Sequence, residues 1–236
     1  MACNVCGSTE FKDSNGRRAA VCATCGSFER SRLLWLYLQR YGSLGPGSKV
    51  LHVAPERCIY RELIKIVGSD NYHVRDMDPT NYPFAENISH IDLCNLEHLP
   101  DDYYDAIIHS HVLEHVCCNI AHPLFHLHRA LKPTGGHFFL VPFAPGKYDE
   151  CFQEIGDSER VRRFGQKDHV RRFGREDVAM HLGKLVSLEK VGSRDSRAAF
   201  PPETLEACNI PGNCLQSLTS HTVLHLRKND MYLMAR

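Results

Sequence analysis

Four cysteines near the start of the chain constrain its fold more than any other feature of the sequence. They form two C-x2-C pairs separated by fifteen residues. Two thiolates on one tight turn can bind one ion, and a second turn completes a tetrahedral shell of four sulfurs without an open position for substrate. Gly7 and Gly26 follow the pairs directly, where the chain must turn. We therefore predict a structural Zn²⁺ in an N-terminal zinc ribbon, rather than a redox or disulfide site, bound by Cys3, Cys6, Cys22 and Cys25.

Length and charge predict one sizeable α/β domain behind the ribbon. The chain has 236 residues, and its basic and acidic residues both number 28, so no net charge attracts nucleic acid or an anionic membrane. No apolar run approaches a membrane span, and Met1 leads directly into the first cysteine pair. We expect a cytoplasmic protein without membrane partners, whose other cysteines stay reduced.

Behind the ribbon, hydrophobic periodicity predicts strands that alternate with helices. Ser27 is the expected N-cap of a connecting helix that ends at Gly42. This order is typical of a Rossmann-like, doubly wound, mainly parallel sheet. The expected domains are a ribbon at 1–26, a connecting helix at 27–42 and a sheet domain at 43–236 with a lid-like insertion at about 145–175. The predicted elements are strands at 49–53, 72–75, 88–92, 105–110 and 137–141, and helices at 57–67 and 120–131.

Acidic residues come at or just after the ends of the first three predicted strands of the sheet. Ligands of doubly wound sheets bind at the carboxyl ends of the strands. Asp76 is the predicted ribose ligand, because one carboxylate can accept from two hydroxyls, and Asp78 is the reserve. Taken singly, each acid can equally well cap a turn. The joint placement of Glu56, Asp76 and Asp92 favours a nucleoside-type ligand.

Three segments resemble class I S-adenosylmethionine-dependent methyltransferases. They are KVLHVAPE at 49–56, YDAIIHSHVLEHV at 104–116 and HRALKPTGG at 128–136. The chain is most similar to a subgroup with an N-terminal zinc ribbon, through GSFERSR at 26–32 and FGQKDHVR at 164–171. The resemblance implies a seven-stranded sheet whose sixth and seventh strands, at 184–191 and 222–228, form an antiparallel hairpin. It also implies S-adenosylmethionine as the cofactor.

The resemblance also implies where the cofactor would bind. Ala54 and Glu56 would line its amino-acid end, Asp92 and Leu93 would contact the adenine, and His109 would lie beside the sulfonium. The loop after the first strand contains no glycine, which disfavours a dinucleotide pyrophosphate more than S-adenosylmethionine and leaves a non-catalytic domain open. The full predicted set is Val53, Ala54, Pro55, Glu56, Asp76, Met77, Asp92, Leu93, His109 and Ser110.

Methyl transfer requires an aligned nucleophile and, for some acceptors, a base near neutral pKa. The candidates are His111 and His115, expected on one face of a helix, and His169 with Asp168 beside it. A packing role is an equally ordinary use of such residues in a chain with 15 histidines.

The string His111 to His115 also matches the H-x-x-E-H signature of a zinc metalloprotease. We reject a protease because the string follows a strand within the methyltransferase pattern and no downstream acid is identifiable as a third ligand. His122 and His126 have the same spacing and are interpreted as residues of a polar helix face.

Arginines are concentrated in the predicted insertion. Guanidinium forks suit carboxylates or phosphates, and Arg171 and Arg172 are the predicted substrate ligands. The alternative is a solvated helix whose arginines pair with Asp157, Glu159 and Asp168. We predict methylation of a small anionic metabolite. RNA methylation through basic residues of the ribbon, with Phe11 and Phe28 stacking on bases, and a ribbon that serves only packing or dimerisation are the alternatives.

Overall fold

The computed structural model describes residues 1–188, 199–212 and 218–234. An N-terminal ribbon leads through one long helix into a sheet domain. The strands are β1 Phe11–Ser14, β2 Arg17–Cys22, β3 Val50–Val53, β4 Tyr72–Asp76, β5 Ile88–His90, β6 Tyr104–Ser110, β7 Leu131–Leu140, β8 Phe143–Ala144, β9 Asp149–Glu150, β10 Arg171–Gly174 and β11 Leu224–Arg227. The ribbon contains the β1–β2 hairpin, and the largest sheet has the order β11-β7-β6-β3-β4-β5.

Helices cover both faces of the large sheet. The five adjacent strands from β7 to β5 are parallel to one another, and β11 is antiparallel to β7. Side chains alternate along β3, so that Val50 joins the core beneath α1 and α2 while Leu51 joins the core beneath α3. No helix in the described ranges is long and apolar enough to cross a membrane. The helices are α1 Glu29–Tyr41, α2 Arg57–Val67, α3 Ala121–Ala130, α4 Asp157–Phe164, α5 Leu182–Leu185 and α6 Pro202–Ala207.

The doubly wound, mainly parallel sheet predicted from the sequence is confirmed. α2 spans the predicted residues, and β11 lies where the antiparallel last strand was expected. The predicted sixth strand at 184–191 is wrong over its described part, because α5 and a single bridge from Val186 to Met231 stand there. Residues 189–191 lie outside the described ranges. Hydrophobic residues at 182, 185 and 186 suit either a short helix or a strand, so periodicity did not separate the two.

Ser27 does not cap α1, contrary to the prediction. The helix begins at Glu29, and the preceding Phe28 makes no side-chain cap. The Ser27 hydroxyl is buried and lies 3.2 Å from the sulfurs of Cys3 and Cys25. The side chain of Ser27, which was predicted to cap the helix, therefore belongs to the cysteine cluster instead.

Arg32 fastens the ribbon to the sheet domain. Its guanidinium is fully buried and donates to two carbonyls of the ribbon and its exit, Ala20 at 3.2 Å and Ser27 at 2.7 Å. It also donates to the carbonyls of Cys208 at 3.0 Å and Asn209 at 2.8 Å, just after α6. One planar fork thus satisfies four carbonyls from two distant parts of the chain.

A small three-stranded sheet covers one end of the large one. Its order is β8-β10-β9, with β10 parallel to β8 and antiparallel to β9. Together with α4 it forms the segment predicted as a lid-like insertion, and β10 packs against the loop that follows β6. This contact brings residues 164–171 beside residues 111–118.

Candidate functional site

The four cysteines form a cluster with the geometry of a zinc centre. One sulfur pair, Cys3 with Cys25, is 3.6 Å apart, and the other, Cys6 with Cys22, is also 3.6 Å apart. A tetrahedral ion with Zn–S bonds of about 2.3 Å requires sulfurs about 3.8 Å apart. All four cysteines are free thiols, so no disulfide competes for them. The donor set fits Zn²⁺, and the prediction for these residues is compatible with the structure.

The turn after β3 has the shape of a glycine turn although it contains none. Ala54 has φ of 51°, in the left-handed region that L-residues rarely adopt. Its N–H donates to the Arg75 carbonyl at 2.9 Å, which continues the pairing with β4. Val53 and Pro55 are buried on either side of this residue. The absence of glycine, noted in the sequence, therefore does not abolish the turn.

Glu56 is held at the end of this turn by a buried histidine. His52 lies 2.6 Å from the Tyr72 hydroxyl through Nδ1 and 3.3 Å from Glu56 Oε2 through Nε2. Burial would raise the pKa of Glu56, but the hydrogen bond and charge of His52 outweigh it and lower that pKa. The other oxygen, Oε1, is buried and has no hydrogen-bond partner among the described residues. An ammonium group of a ligand would satisfy it.

The predicted acids lie at the carboxyl ends of the neighbouring strands. Asp76 ends β4, and its Oδ1 accepts from the N–H of Asp78 at 2.8 Å. Asp92 follows β5, and its Oδ1 accepts from the N–H of Cys94 at 2.8 Å. Each carboxylate thus organises its own turn, and a carboxylate oxygen can accept a further hydrogen bond. Of the two flanking residues, Met77 is exposed and Leu93 is buried.

The side chain of His109 lies in the core and not at this edge. Its ring is fully buried against His137 and Phe139, and neither ring nitrogen has a partner in the described structure. Burial, together with the charges of His52 and His128, lowers the pKa of His109 to about 3. A neutral ring enclosed in the core cannot contact a sulfonium through its side chain, so that part of the prediction is wrong. Ser110, which ends β6, is partly exposed.

His111 and His115 do not share a helix face, contrary to the prediction. Residues Leu113–His115 form a single 3-10 turn, and His111 before it has φ of 57°. His111 Nε2 lies 2.9 Å from the Ser220 carbonyl, and its Nδ1 lies 3.3 Å from Glu114 Oε1. The four-residue spacing of the two histidines wrongly suggested a helix, because strand β6 ends only one residue before His111.

The structure brings His169 and Asp168 to this same turn. The N–H of Val170 donates to the Glu114 carbonyl at 2.8 Å. His115 Nδ1 lies 3.2 Å from the Asp168 carbonyl, and the two rings of His115 and His169 meet edge to face with centroids 4.7 Å apart. The predicted catalytic histidines 115 and 169, more than fifty residues apart in the chain, are thus neighbours.

Glu114 is the residue that sequence reasoning missed at this site. Its side chain is completely buried, and both carboxylate oxygens lack hydrogen-bond donors in the described chain. Among the described residues, only His111 comes within ion-pair distance, with its Nδ1 3.3 Å from Oε1. The H-x-x-E-H string contains this acid, whereas the metalloprotease interpretation required an acid downstream of the string as the third ligand.

Arg171 has a structural position instead of the predicted substrate contact. Its guanidinium is fully buried and donates to the carbonyls of Leu113, at 2.7 Å, and Cys118, while the Glu150 carboxylate lies 3.6 Å from Nε. These contacts fasten the loop that carries Glu114. Arg172 is half-buried and donates to the Lys147 carbonyl at 3.2 Å, and its role toward a substrate remains a prediction.

Two other arginines of the segment pair with acids of the protein. Arg162 pairs with Glu159 one helical turn earlier, as the solvated-helix alternative proposed. Arg163 pairs instead with Asp149, which that alternative did not name, through two hydrogen bonds. Both guanidinium groups are therefore committed within the protein, which removes them as obvious substrate ligands.

Comparisons with known proteins return likenesses only among solved structures. No model of a protein family matches the sequence, and no curated protein matches it. An S-adenosylmethionine-dependent methyltransferase from Archaeoglobus fulgidus is 18% identical, with 85% of this chain and 93% of that chain covered and a TM-score of 0.47. One from Mesorhizobium loti is 20% identical, with 51% and 60% covered and a TM-score of 0.40.

The chain spans little more than half of some of these proteins. It covers 54% of a chain from a Haloferax volcanii complex that contains the Trm112 methyltransferase activator, at 18% identity and a TM-score of 0.39. Likenesses this distant fix neither substrate nor mechanism. The fold assignment rests on the sheet itself: five parallel strands in doubly wound order and one antiparallel strand beside β7. This is the class I methyltransferase fold predicted from the sequence.

Proposed function

We propose that this protein is a cytoplasmic S-adenosylmethionine-dependent methyltransferase that methylates an oxygen or nitrogen of a small anionic metabolite, such as an amino acid, sugar or peptide derivative. One observation carries the proposal. The left-handed turn at Ala54, the carboxylate of Asp76 and that of Asp92 follow three adjacent strands, β3, β4 and β5, at one edge. Adjacent strands are about 4.8 Å apart, so these groups can contact one nucleoside-sized ligand together.

The residues at this edge suit the parts of the cofactor. Glu56 Oε1 is a buried acceptor that an amino-acid ammonium would satisfy. Asp76 can accept from both ribose hydroxyls. When bound, S-adenosylmethionine supplies an electrophilic methyl group on a sulfonium. The chain's own part is to align an acceptor in line with that methyl carbon and to provide for loss of the acceptor's proton.

Three histidines lie where the acceptor would approach. His111, His115 and His169 surround the turn that follows β6, next to β3 in the sheet. Burial lowers the pKa of His169, although the negative charge of Glu114 opposes this shift. Its Nδ1 lies 3.1 Å from the Phe164 carbonyl, which leaves Nε2 as the ring nitrogen that can accept a proton.

A basic cavity beside the cofactor turn supports an anionic substrate. It has a volume of about 510 Å³ and lies between the second cysteine pair of the ribbon and the start of α2. Arg30, Arg57 and Arg61 contribute to its wall, and Glu56 belongs both to this cavity and to the cofactor turn. Guanidinium groups grouped in this way suit carboxylates or phosphates.

Methylation of RNA through the ribbon has less support. The two rings predicted to stack on bases already carry arginines: Arg32 lies 5.0 Å from the ring centre of Phe11, and Arg30 lies 5.0 Å from that of Phe28. Phe11 also packs against the core. Stacking platforms for single-stranded bases require an open aromatic face.

Calorimetric titration with S-adenosylmethionine and S-adenosylhomocysteine tests the proposal. Binding of both at micromolar concentration, about −8 kcal/mol, is the expected result, and it would justify a screen of anionic metabolites for methyl acceptance with RNA as the comparison substrate. If neither binds to protein that retains its zinc, the methyltransferase proposal fails and a non-catalytic binding role replaces it.

A further inference from the structure

Glu114, His115 and His169 form a second group of potential metal ligands, separate from the cysteine cluster. One ligand atom from each lies within 4.8 Å of the others. Glu114 is 0% exposed and His169 5% exposed, whereas the His115 side chain is 37% exposed. The group therefore has two buried ligands and one that solvent reaches.

Among the described residues, no hydrogen-bond donor compensates the negative charge of Glu114. Both of its oxygens are buried without a donor in the described part of the chain, and His111 Nδ1, 3.3 Å from Oε1, is the only ion-pair contact recorded there. A buried carboxylate in this state costs several kcal/mol in order of magnitude, about what is measured when a buried pair loses one partner. A divalent cation between Glu114 and the two histidines would supply the missing charge.

Both histidines are oriented as metal-binding histidines are. His169 Nδ1 donates to the Phe164 carbonyl at 3.1 Å. His115 Nδ1 donates to the Asp168 carbonyl at 3.2 Å, with the Asp168 carboxylate 3.4 Å away. A ring whose Nδ1–H is bonded to a carbonyl presents Nε2 as the lone pair, and this second contact is the usual partner of a metal-bound imidazole.

We propose that Glu114, His115 and His169 bind a divalent metal ion that holds the methyl acceptor through a hydroxyl oxygen. Two imidazoles and one carboxylate are the protein ligands of sites that keep open positions for substrate, in zinc enzymes and in other first-row metal enzymes. Metal–ligand bonds of about 2.1 Å hold ligand atoms at most about 4.2 Å apart, a separation that three atoms within 4.8 Å of one another can adopt with at most small side-chain shifts.

This inference rests on the proposed methyltransferase function and deepens it, because it selects oxygen as the accepting atom. A bound metal ion would lower the pKa of an acceptor hydroxyl held on it, so that the hydroxyl proton could pass to water. Methyl transfer to that oxygen would form an O–C bond while the C–S bond of the cofactor breaks and its electron pair stays on sulfur. The products would be a methyl ether and S-adenosylhomocysteine.

A surface group offers the same ligand types and serves as the matched control. Glu97, His122 and His126 also place one ligand atom each within 4.8 Å of the others. The Glu97 side chain is 68% exposed, however, and His126 Nδ1 accepts from the guanidinium of Arg129 at 2.9 Å. An adjacent positive charge and free solvation of the acid both oppose cation binding there.

The test is Mn²⁺ binding to the full chain, followed by electron paramagnetic resonance, with zinc left in the cysteine site because Mn²⁺ prefers oxygen and nitrogen ligands to thiolates. The expected result is one Mn²⁺ per chain. Glu114→Gln and His169→Ala should each weaken binding by more than about tenfold, whereas Glu97→Gln should leave it unchanged. His115→Ala, which removes the ligand that solvent reaches, tests the same ligand set if a buried variant fails to fold.

The inference is overturned if the wild-type chain binds neither Mn²⁺ nor a second Zn²⁺, or if Glu97→Gln abolishes binding while Glu114→Gln does not. Calorimetry with S-adenosylhomocysteine on the same samples separates the two proposals. Cofactor binding without a metal removes only the metal site, and metal binding without cofactor binding removes the methyltransferase while the metal site stands.

Discussion

Arg32 and Arg171 are the two largest side chains that are fully buried, and they fasten different parts of the molecule. Arg32 donates to four carbonyls and joins the ribbon to the chain after α6. Arg171 donates to two carbonyls, both in the loop that carries Glu114, and has a carboxylate nearby. Both lie in segments that the resemblance singled out, 26–32 and 164–171. A segment that carries a resemblance can thus act by holding a loop in place. The function of that loop then decides whether loss of the arginine damages folding or chemistry.

Replacement of Arg32 is expected to have the largest effect on stability. In Arg32→Met four carbonyls lose a donor, and each buried group left unsatisfied costs about 1–3 kcal/mol. We expect the free energy of unfolding, measured in urea, to fall by about 3 kcal/mol or more. Arg32→Lys should recover part of the loss, because an ammonium can reach fewer carbonyls than a fork. A loss below about 1 kcal/mol for Arg32→Met would mean that other contacts attach the ribbon.

Replacement of Arg171 distinguishes its role from that of Arg32. Arg171→Met should lower the free energy of unfolding by about 2 kcal/mol, since two carbonyls lose their donor. Amide hydrogen exchange in residues 113–118 should accelerate by more than about tenfold, with cofactor affinity unchanged. Arg32→Met should leave exchange in this loop unaltered relative to global unfolding. A normal exchange rate in a stable Arg171→Met protein would mean that other contacts hold this loop.

His109 extends the comparison to a buried polar group that has no hydrogen-bond partner among the described residues. Its pKa is lowered to about 3 by burial and by nearby histidines, so protonation favours the unfolded chain, where histidine titrates near 6.5. Stability is fully present above pH 6.5 and is lost as the pH falls below it. Between pH 7 and pH 5 this one group should remove about 2 kcal/mol from the free energy of unfolding.

His109→Phe tests that expectation by urea unfolding at the two pH values. The variant should lose less stability than the wild type on acidification, by about the same 2 kcal/mol. His90, which is exposed, provides the control. The free energy of unfolding of His90→Gln should fall on acidification by as much as that of the wild type. Equal pH dependence in all three proteins would show that His109 is not buried in the neutral form.

The smallest predicted effect concerns Asp76, which neither arginine contacts. Asp76→Asn should raise the Kd for S-adenosylhomocysteine by about tenfold, or about 1.4 kcal/mol, with little change in stability. Asp78→Asn is the matched change two residues later, where the carboxylate accepts from Thr80 and caps a short 3-10 turn. Weaker binding in Asp78→Asn alone would transfer the ribose role to Asp78.

Local patterns in the sequence predicted the architecture well and the site only in part. The cysteine spacing, α2 and the parallel strands follow from short-range rules, because ligand spacing and hydrophobic period act over a few residues. The meeting of His115 with His169 is a long-range contact that no local period encodes. The role of Arg171 was predicted wrongly, because an arginine that binds backbone carbonyls and an arginine that binds a substrate look the same in a sequence.

Hydrogen exchange measured with and without S-adenosylhomocysteine tests the central claim most directly, namely that the carboxyl edge of β3, β4, β5 and β6 is the site of methyl transfer. The account predicts slower exchange in peptides that contain residues 53–57, 76–78, 92–94 and 110–115, and no change in residues 1–22. Protection confined to the ribbon, or no protection at saturating ligand, would contradict it.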